Sequence, residues 1–214
     1  MSHLVVTTPA SDIGLAPIEA LRAAAGLSVG DTSRDAELTA LGRRISAEIA
    51  DACRIAVGEG GEPTLRKETL TETFSGCGDE VLILSRRHNV KIATITENGT
   101  IVSIDDRGLQ SEAGLLERWV NGYRSRWIAR EIIVVYDAGF DTVPASLVGV
   151  VTDLARIRLS QASVDPLVKS VRVEVEDIDT VQTDRWVGSV PGSASSGLPD
   201  DMMARLARFV NPVV

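Results

Sequence analysis

Residues 90–105 read "VKIATITENGTIVSID", and the Asn98-Gly99 pair at their centre constrains the fold more than any other feature. Asn-Gly supplies the two positive φ values of a type I′ turn, the turn whose twist matches that of the strands it joins. Counting outward from it sets Ile95 opposite Val102 and Ala93 opposite Ile104 on one apolar face, with Lys91 opposite Asp106 at the end. A chain holding this hairpin builds an antiparallel sheet. The stretches "LRKETLTETF" and "EVLILS" before it read as further strands, and "EIIVVY", residues 131–136, is so continuously apolar that it belongs at the centre of a sheet. The predicted β region covers about 64–141.

Helical periodicity flanks this region. Pro17 opens "PIEALRAAAGL" and Gly26 closes it, proline early and glycine late. Thr32 is placed to cap a second helix, with Asp35 three residues on. Leu38, Leu41, Ile45, Ile49, Ala52 and Ala56 then fall on one stripe running to about Val57, opposite Arg43, Arg44, Glu48 and Asp51. The breaker "GEGGEP" lacks the Gly-Lys-Ser/Thr ending of a phosphate loop and follows a helix, so it reads as a linker. After the β region, Pro144 opens a helix whose inward face is Leu147, Val151, Leu154 and Ile157. The helices thus span about 17–57 and 143–161. The fold class expected is α+β: a small helical bundle core with an antiparallel β insertion and an extended C-terminal arm ending in a short helix. Residues 1–165 form the core and 166–214 the arm.

Composition excludes more than it selects. The chain has 214 residues, 44% of them hydrophobic, enough to bury a core. A net charge of −8 argues against duplex DNA binding, which draws its affinity from basic residues displacing counterions. One local exception is "ERWVNGYRSRWIAR", residues 117–130, where Arg118, Arg124, Arg126 and Arg130 alternate with Trp119, Tyr123 and Trp127. That mixture suits a single-strand binder, or a segment with its aromatics packed inward and its arginines on acids of this or another chain. Cys53 and Cys77 lie in no CxxC and give no disulfide framework; no metal site is expected. The start "MSHLVVTTPASD" has neither a basic leader nor an apolar run, so neither signal peptide nor membrane span is expected. His3, in an expected mobile terminus, and His88 are poor general bases; Asp105 with Asp106 and Asp137 with Asp141 fit turn and capping chemistry better than metal-dependent catalysis. No catalytic residue and no cofactor are expected.

The last fifty residues pose a separate problem. "SVRVEVEDID", residues 170–179, alternates Val171, Val173 and Val175 with Arg172, Glu174 and Glu176, and no second strand is recognisable after it. Its backbone groups need a partner. Either the valines fold back on the chain's own sheet or the strand adds to an edge on a neighbouring subunit or on another protein. The acids Glu174, Glu176, Asp177, Asp179 and Asp184 suggest that this arm lies across Arg118, Arg124 and Arg126 of the next copy, with the lone Trp186 close by in the chain. After "PGSASSG" comes "PDDMMARLARFV", a helix with Met202, Met203, Leu206, Phe209 and Val210 available for an apolar side.

The stretch "IIVVYDAGFDTVPASLVGVVTDLARIRLS" carries a resemblance: a strand ending in Tyr136, an Ala138-Gly139-Phe140 turn, and Val143-Pro144-Ala145 leading into a helix. Together with the helix pair at 17–57 and "GLLERW" followed by Trp127, this order resembles the head-to-tail connector, or adaptor, proteins of tailed bacteriophages and gene transfer agents. The tail beyond Asp165 departs from the shared pattern. The resemblance implies a structural virion protein of the neck, made in the host bacterial cytoplasm. It further implies a ring of 12 copies between the portal and a tail or stopper protein, with DNA leaving through its channel. On this resemblance Met203, Leu206, Phe209 and Val210 dock on the portal. The alternative class is a small cytosolic hydrolase or a single-stranded nucleic-acid-binding domain.

Overall fold

The computed structural model describes residues 2–75, 78–162, 170–175, 179–184 and 198–211. In chain order these form β1 (Ser2–Thr8), α1 (Ile18–Ala24), α2 (Asp35–Ala52), β2 (Glu68–Ser75), β3 (Val81–Ile83), β4 (Lys91–Glu97) and β5 (Thr100–Ile101). A 3-10 turn at Ile104–Asp106 leads to β6 (Arg107–Gln110), β7 (Leu115–Val120), β8 (Tyr123–Ser125), β9 (Glu131–Ala138) and α3 (Ala145–Ala162). Then come β10 (Ser170–Val175), β11 (Asp179–Asp184), α4 (Asp200–Leu206) and a closing 3-10 turn at Ala207–Phe209.

The chain is α+β, but strand-rich, which corrects the expected helical core with a β insertion. The β part has a core of its own. A five-stranded antiparallel sheet in the order β1-β2-β9-β4-β5 and a smaller sheet, β3-β7-β6 with β8 on β7, enclose Leu70, Leu82, Leu84, Ile95, Leu116, Trp127, Ile132, Val134 and Tyr136. As expected, β9 is central, and its inward residues Ile132, Val134 and Tyr136 are fully buried. A separate cluster gathers Leu21 of α1, Leu38, Ile45 and Ile49 of α2, Leu147, Val151 and Leu154 of α3, and Leu198, Met202, Leu206 and Phe209 around α4. Each such burial stabilises by roughly 1.5–3 kcal/mol relative to exposure.

The Asn98-Gly99 turn forms with φ of 47° and 82°, and Val102 N donates to Ile95 O at 2.9 Å. The ladder stops there. Ser103 Oγ accepts from Asp105 N and starts the 3-10 turn, so the pairs Ala93–Ile104 and Lys91–Asp106 do not form and Ile104 is exposed. Lys91 faces Asp137 of β9 instead. A second turn of the same chemistry, Asn121-Gly122 at φ 52° and 80°, joins β7 to β8 inside the arginine and aromatic segment.

Other expectations shift locally. The amino terminus carrying His3 is strand β1, paired with β2 over Ser2–Thr8. Thr32 does not cap α2: Arg34 is its N-cap residue, with no side-chain bond, and Asp35 pairs with Arg22 at 2.5 Å. That helix ends at Ala52, before the expected Val57, and Arg54 turns the chain at φ 56°. The "GEGGEP" segment does more than link. Glu59 O accepts from Val6 N at 3.0 Å and Glu59 N donates to Leu4 O at 2.9 Å, which covers part of the free edge of β1. Gly61 is required there because a Cβ would collide with Val6.

The valine strand β10 has a mate in its own chain, β11, paired antiparallel from Ser170↔Asp184 to Val175↔Asp179. This overturns the expectation that no second strand follows. The two strands form a sheet of their own and join neither of the others.

Candidate functional site

Two buried polar groupings fasten the layers together. Arg86 reaches from the end of β3 to donate to Ala56 O at 2.7 Å and Thr64 O at 2.9 Å, and its guanidinium lies 2.9 Å from Glu68 Oε2, with both side chains 3% exposed or less. Burial lowers the pKa of Arg86, and the charge of Glu68 opposes this. Nearby, the Tyr136 hydroxyl donates to Glu72 Oε2 at 2.8 Å, while Ser85 gives Glu72 its backbone N–H at 3.0 Å and its hydroxyl at 2.5 Å. Asn211 closes the seam by donating its N–H to Cys53 O and its amide to Arg54 O and Ser85 O.

These groups predict an alkaline limit. Burial raises the Tyr136 pKa above its ordinary value of 10.0, with the Glu72 charge adding to the shift, and burial pushes the Cys53 thiol from 9.0 up to about 12. The folded state therefore holds protons that the unfolded chain releases from pH 9 upward. Stability is full below pH 9 and falls by up to about 1.4 kcal/mol per pH unit per group as pH rises through 9–12. Urea unfolding at stepped pH checks this, with Tyr136→Phe expected to be less stable at pH 7 and to show a shallower alkaline decline.

The same seam opens to solvent as a cleft of about 790 Å³ between the β3–β4 loop, the start of α3 and the end of α4. Its floor is aromatic. Phe140 stands edge-on to Phe209 at 5.7 Å between ring centroids, and His88 lies 5.7 Å from Phe140. Gly139, at φ 103°, makes this possible: its N–H donates to His88 O at 2.7 Å, and a Cβ there would run into the backbone of Arg66. Arg87 and Arg208 line the cleft, with the Arg208 guanidinium 4.6 Å from the Phe209 ring centroid and bonded to Ser146 Oγ. Glu112 is the carboxylate on the lining. Burial, reinforced by the Arg87 charge, holds His88 below its ordinary 6.5, so the ring is neutral at pH 7. An adjoining groove shares Asn89 and adds Lys91 and Lys67, the latter 3.3 Å from Asp137.

The residues singled out from sequence fall in separate groups: Met203, Leu206, Phe209 and Val210 share the helical layer, and Arg118, Arg124 and Arg126 lie on or next to the paired strands β7 and β8. Arg118 pairs with Glu97 at 3.3 Å and Asp106 at 3.8 Å, Arg124 with Glu117, and Arg126 with Glu80 at 3.5 Å. Trp127 is buried and donates to Leu116 O at 3.2 Å, whereas Tyr123 is 78% exposed. Within the chain, then, this segment has Trp127 inward and Arg118, Arg124 and Arg126 on the chain's own acids, while Tyr123 and Arg130 are exposed. Val171, Val173, Val175 and Glu174 belong to β10; Glu176 and Trp186 lie outside the described residues. Leu206 and Phe209 are 0% and 5% exposed in the chain's own helical layer, with Met203 and Val210 packed against it. Docking on a portal through Leu206 and Phe209 requires that helix to leave the layer.

The cleft residues Arg87, His88, Phe140 and Arg208 come from segments far apart in the chain, and no local pattern marks them as neighbours. Among the described residues no group of three or more His, Cys, Asp or Glu could hold a metal ion, and no helix is long and apolar enough to cross a membrane. The arrangement can bind an apolar surface bearing negative charge.

No protein-family model matches the chain, and no curated protein matches it. Among solved structures, the neck of an empty GTA (gene transfer agent) particle computed with C6 symmetry is similar at a TM-score of 0.56 and 17% identity, over 100% of this chain and 97% of that one. At that identity the likeness is one of fold, and it extends from end to end.

Proposed function

We propose that the chain is a structural subunit of the neck of a phage-like particle: an adaptor that assembles as a ring between portal and tail and lets DNA pass through its bore. The observation that carries this reading is the fold likeness to a neck component over 100% of this chain and 97% of that one. The order of elements from Ile132 to Ser160, read independently, points to the same class of protein. The six-fold symmetry used for that neck supports a rotational ring, and twelve copies are compatible with it. An acidic subunit, at −8, suits a passage that must release phosphates and not hold them. The role is non-enzymatic; after synthesis in the host cytoplasm the protein resides in the virion neck, with the portal above and a tail or stopper protein below.

Negative-stain imaging and native mass measurement of the purified chain, alone and mixed with portal rings, test the reading. Closed rings, or stoichiometric capture by the portal, are expected. A chain that neither closes by itself nor binds a portal would overturn it.

A further inference from the structure

Two cations on the seam cleft have hydrogen-bonding capacity to spare. Arg87 is half-buried and donates through Nε to Leu84 O at 3.2 Å, and Arg208 is exposed and gives one N–H to Ser146 Oγ. Among the described residues neither has an ion-pair partner, whereas Arg22, Arg43, Arg86, Arg118 and Arg158 each sit on a carboxylate. Leu115, Phe140, Pro144, Phe209 and Val210 supply apolar walls to a space of about 790 Å³, within the range of natural binding pockets. Asn211, on the same lining and 6% exposed, turns its amide nitrogen to Arg54 O and Ser85 O, and its Oδ1 has no hydrogen-bond partner. A buried acceptor left in this state calls for a donor from outside the chain.

We propose that this cleft is a docking site for a short segment of a partner protein in which a large apolar or aromatic side chain is flanked by carboxylates. The side chain lies on Phe140 and Phe209, the carboxylates pair with Arg87 and Arg208, and a backbone N–H of the segment gives Asn211 Oδ1 the donor it lacks. Arginines beside an aromatic floor are the composition of an interface that binds through a few anchors. Charge selects the occupant. A surface of net charge −8 repels acids in general, so a carboxylate is held only where unpaired cations are local, and here there are two of them against the single exposed Glu112. A nucleic-acid strand fits less well, because its affinity comes from a row of cations along the backbone. In the adjoining groove Lys67 is already held by Asp137 at 3.3 Å and Asp141 at 3.9 Å. The cleft walls come from both cores, Leu115 and the β3–β4 loop on one side and α3 with the end of α4 on the other, so an occupant clamps the two together.

Calorimetric titration of the full chain with three capped peptides tests this: EDFLDE, its neutral counterpart QNFLNQ and the basic KRFLKR. The acidic peptide is expected to bind about tenfold more tightly than the neutral one, and the basic peptide more weakly than either. That order is the reverse of what a net charge of −8 produces by general attraction, so it isolates the cleft. In Arg87→Gln/Arg208→Gln the acidic peptide is expected to fall to the level of the neutral one, whose retained binding on the aromatic floor shows that the variant is folded. Should the double variant fail to fold, Arg208→Gln alone, at an exposed position, is expected to weaken the acidic peptide about threefold and leave the neutral one unchanged. The proposal is overturned if the acidic peptide binds no more tightly than the neutral one, or if its advantage survives these substitutions. Displacement of the acidic peptide by an equimolar single-stranded oligothymidylate would assign the cleft to nucleic acid and equally overturn it. The proposal does not rest on the neck reading, whose rings and portal capture are measured separately.

Discussion

Replacing Arg86 by methionine is expected to lower the unfolding free energy by about 3–5 kcal/mol, the cost of removing one partner of a buried ion pair. The size follows from what is left behind. Glu68 keeps only the Ala10 N–H, at 3.2 Å, for a charge that is otherwise out of reach of water, and Ala56 O and Thr64 O each lose a donor. Against a total of roughly 5–15 kcal/mol for an ordinary domain, this loss is enough to leave a large fraction of the chain unfolded at 37 °C. The double variant Arg86→Met/Glu68→Gln should recover part of the loss, because the stranded carboxylate is then neutral. Urea titration of the three chains measures both effects; a single variant within 1 kcal/mol of the parent, on the scale of a typical exposed ion pair, would show that the pair is solvated.

Leu206→Ala and Phe209→Ala are expected to cost about 2–5 and 3–5 kcal/mol, the range for truncating a buried leucine or phenylalanine. Both side chains fill the helical layer beside Leu147, Val151 and Leu154, so the loss is of transfer free energy plus an unfilled cavity. The measurement decides between two uses of the terminal helix. A helix that docks on a portal and contributes little at home would leave the isolated chain as stable as before and weaken portal capture. A helix that belongs to the layer destabilises the isolated chain first. By the same reasoning, removal of residues 166–214 takes Leu198, Met202, Leu206 and Phe209 from the core and should yield an unstable protein, not the folded remnant expected of a purely external arm.

Several elements were legible because one residue type forces the backbone. Asn98-Gly99 fixed its turn, Pro17 and Gly26 bracketed α1, and the apolar run at 131–136 identified the central strand. Asn121-Gly122 carried the same signal as the first turn and was overshadowed by the arginines and aromatics around it. The strand β11, "DTVQTD", was not legible: threonine, glutamine and aspartate give no apolar alternation, and only pairing with β10 reveals it. β1 hid in the same way, as a short β-branched run whose meaning depends on Glu59 and β2. The cleft was illegible for a different reason. Phe140, Arg87 and Arg208 become neighbours only after Gly139 brings the β9–α3 turn against the β3–β4 loop, a contact written in backbone geometry and not in any local run of residues.

Asn211, which bonds the carbonyls of Cys53, Arg54 and Ser85, ties the last described turn to two places in the first half of the chain. During translation the helical layer thus stays unsealed until the ribosome has passed this residue, because Leu198, Met202, Leu206 and Phe209 are the last members to join the cluster that holds Leu147, Val151 and Leu154.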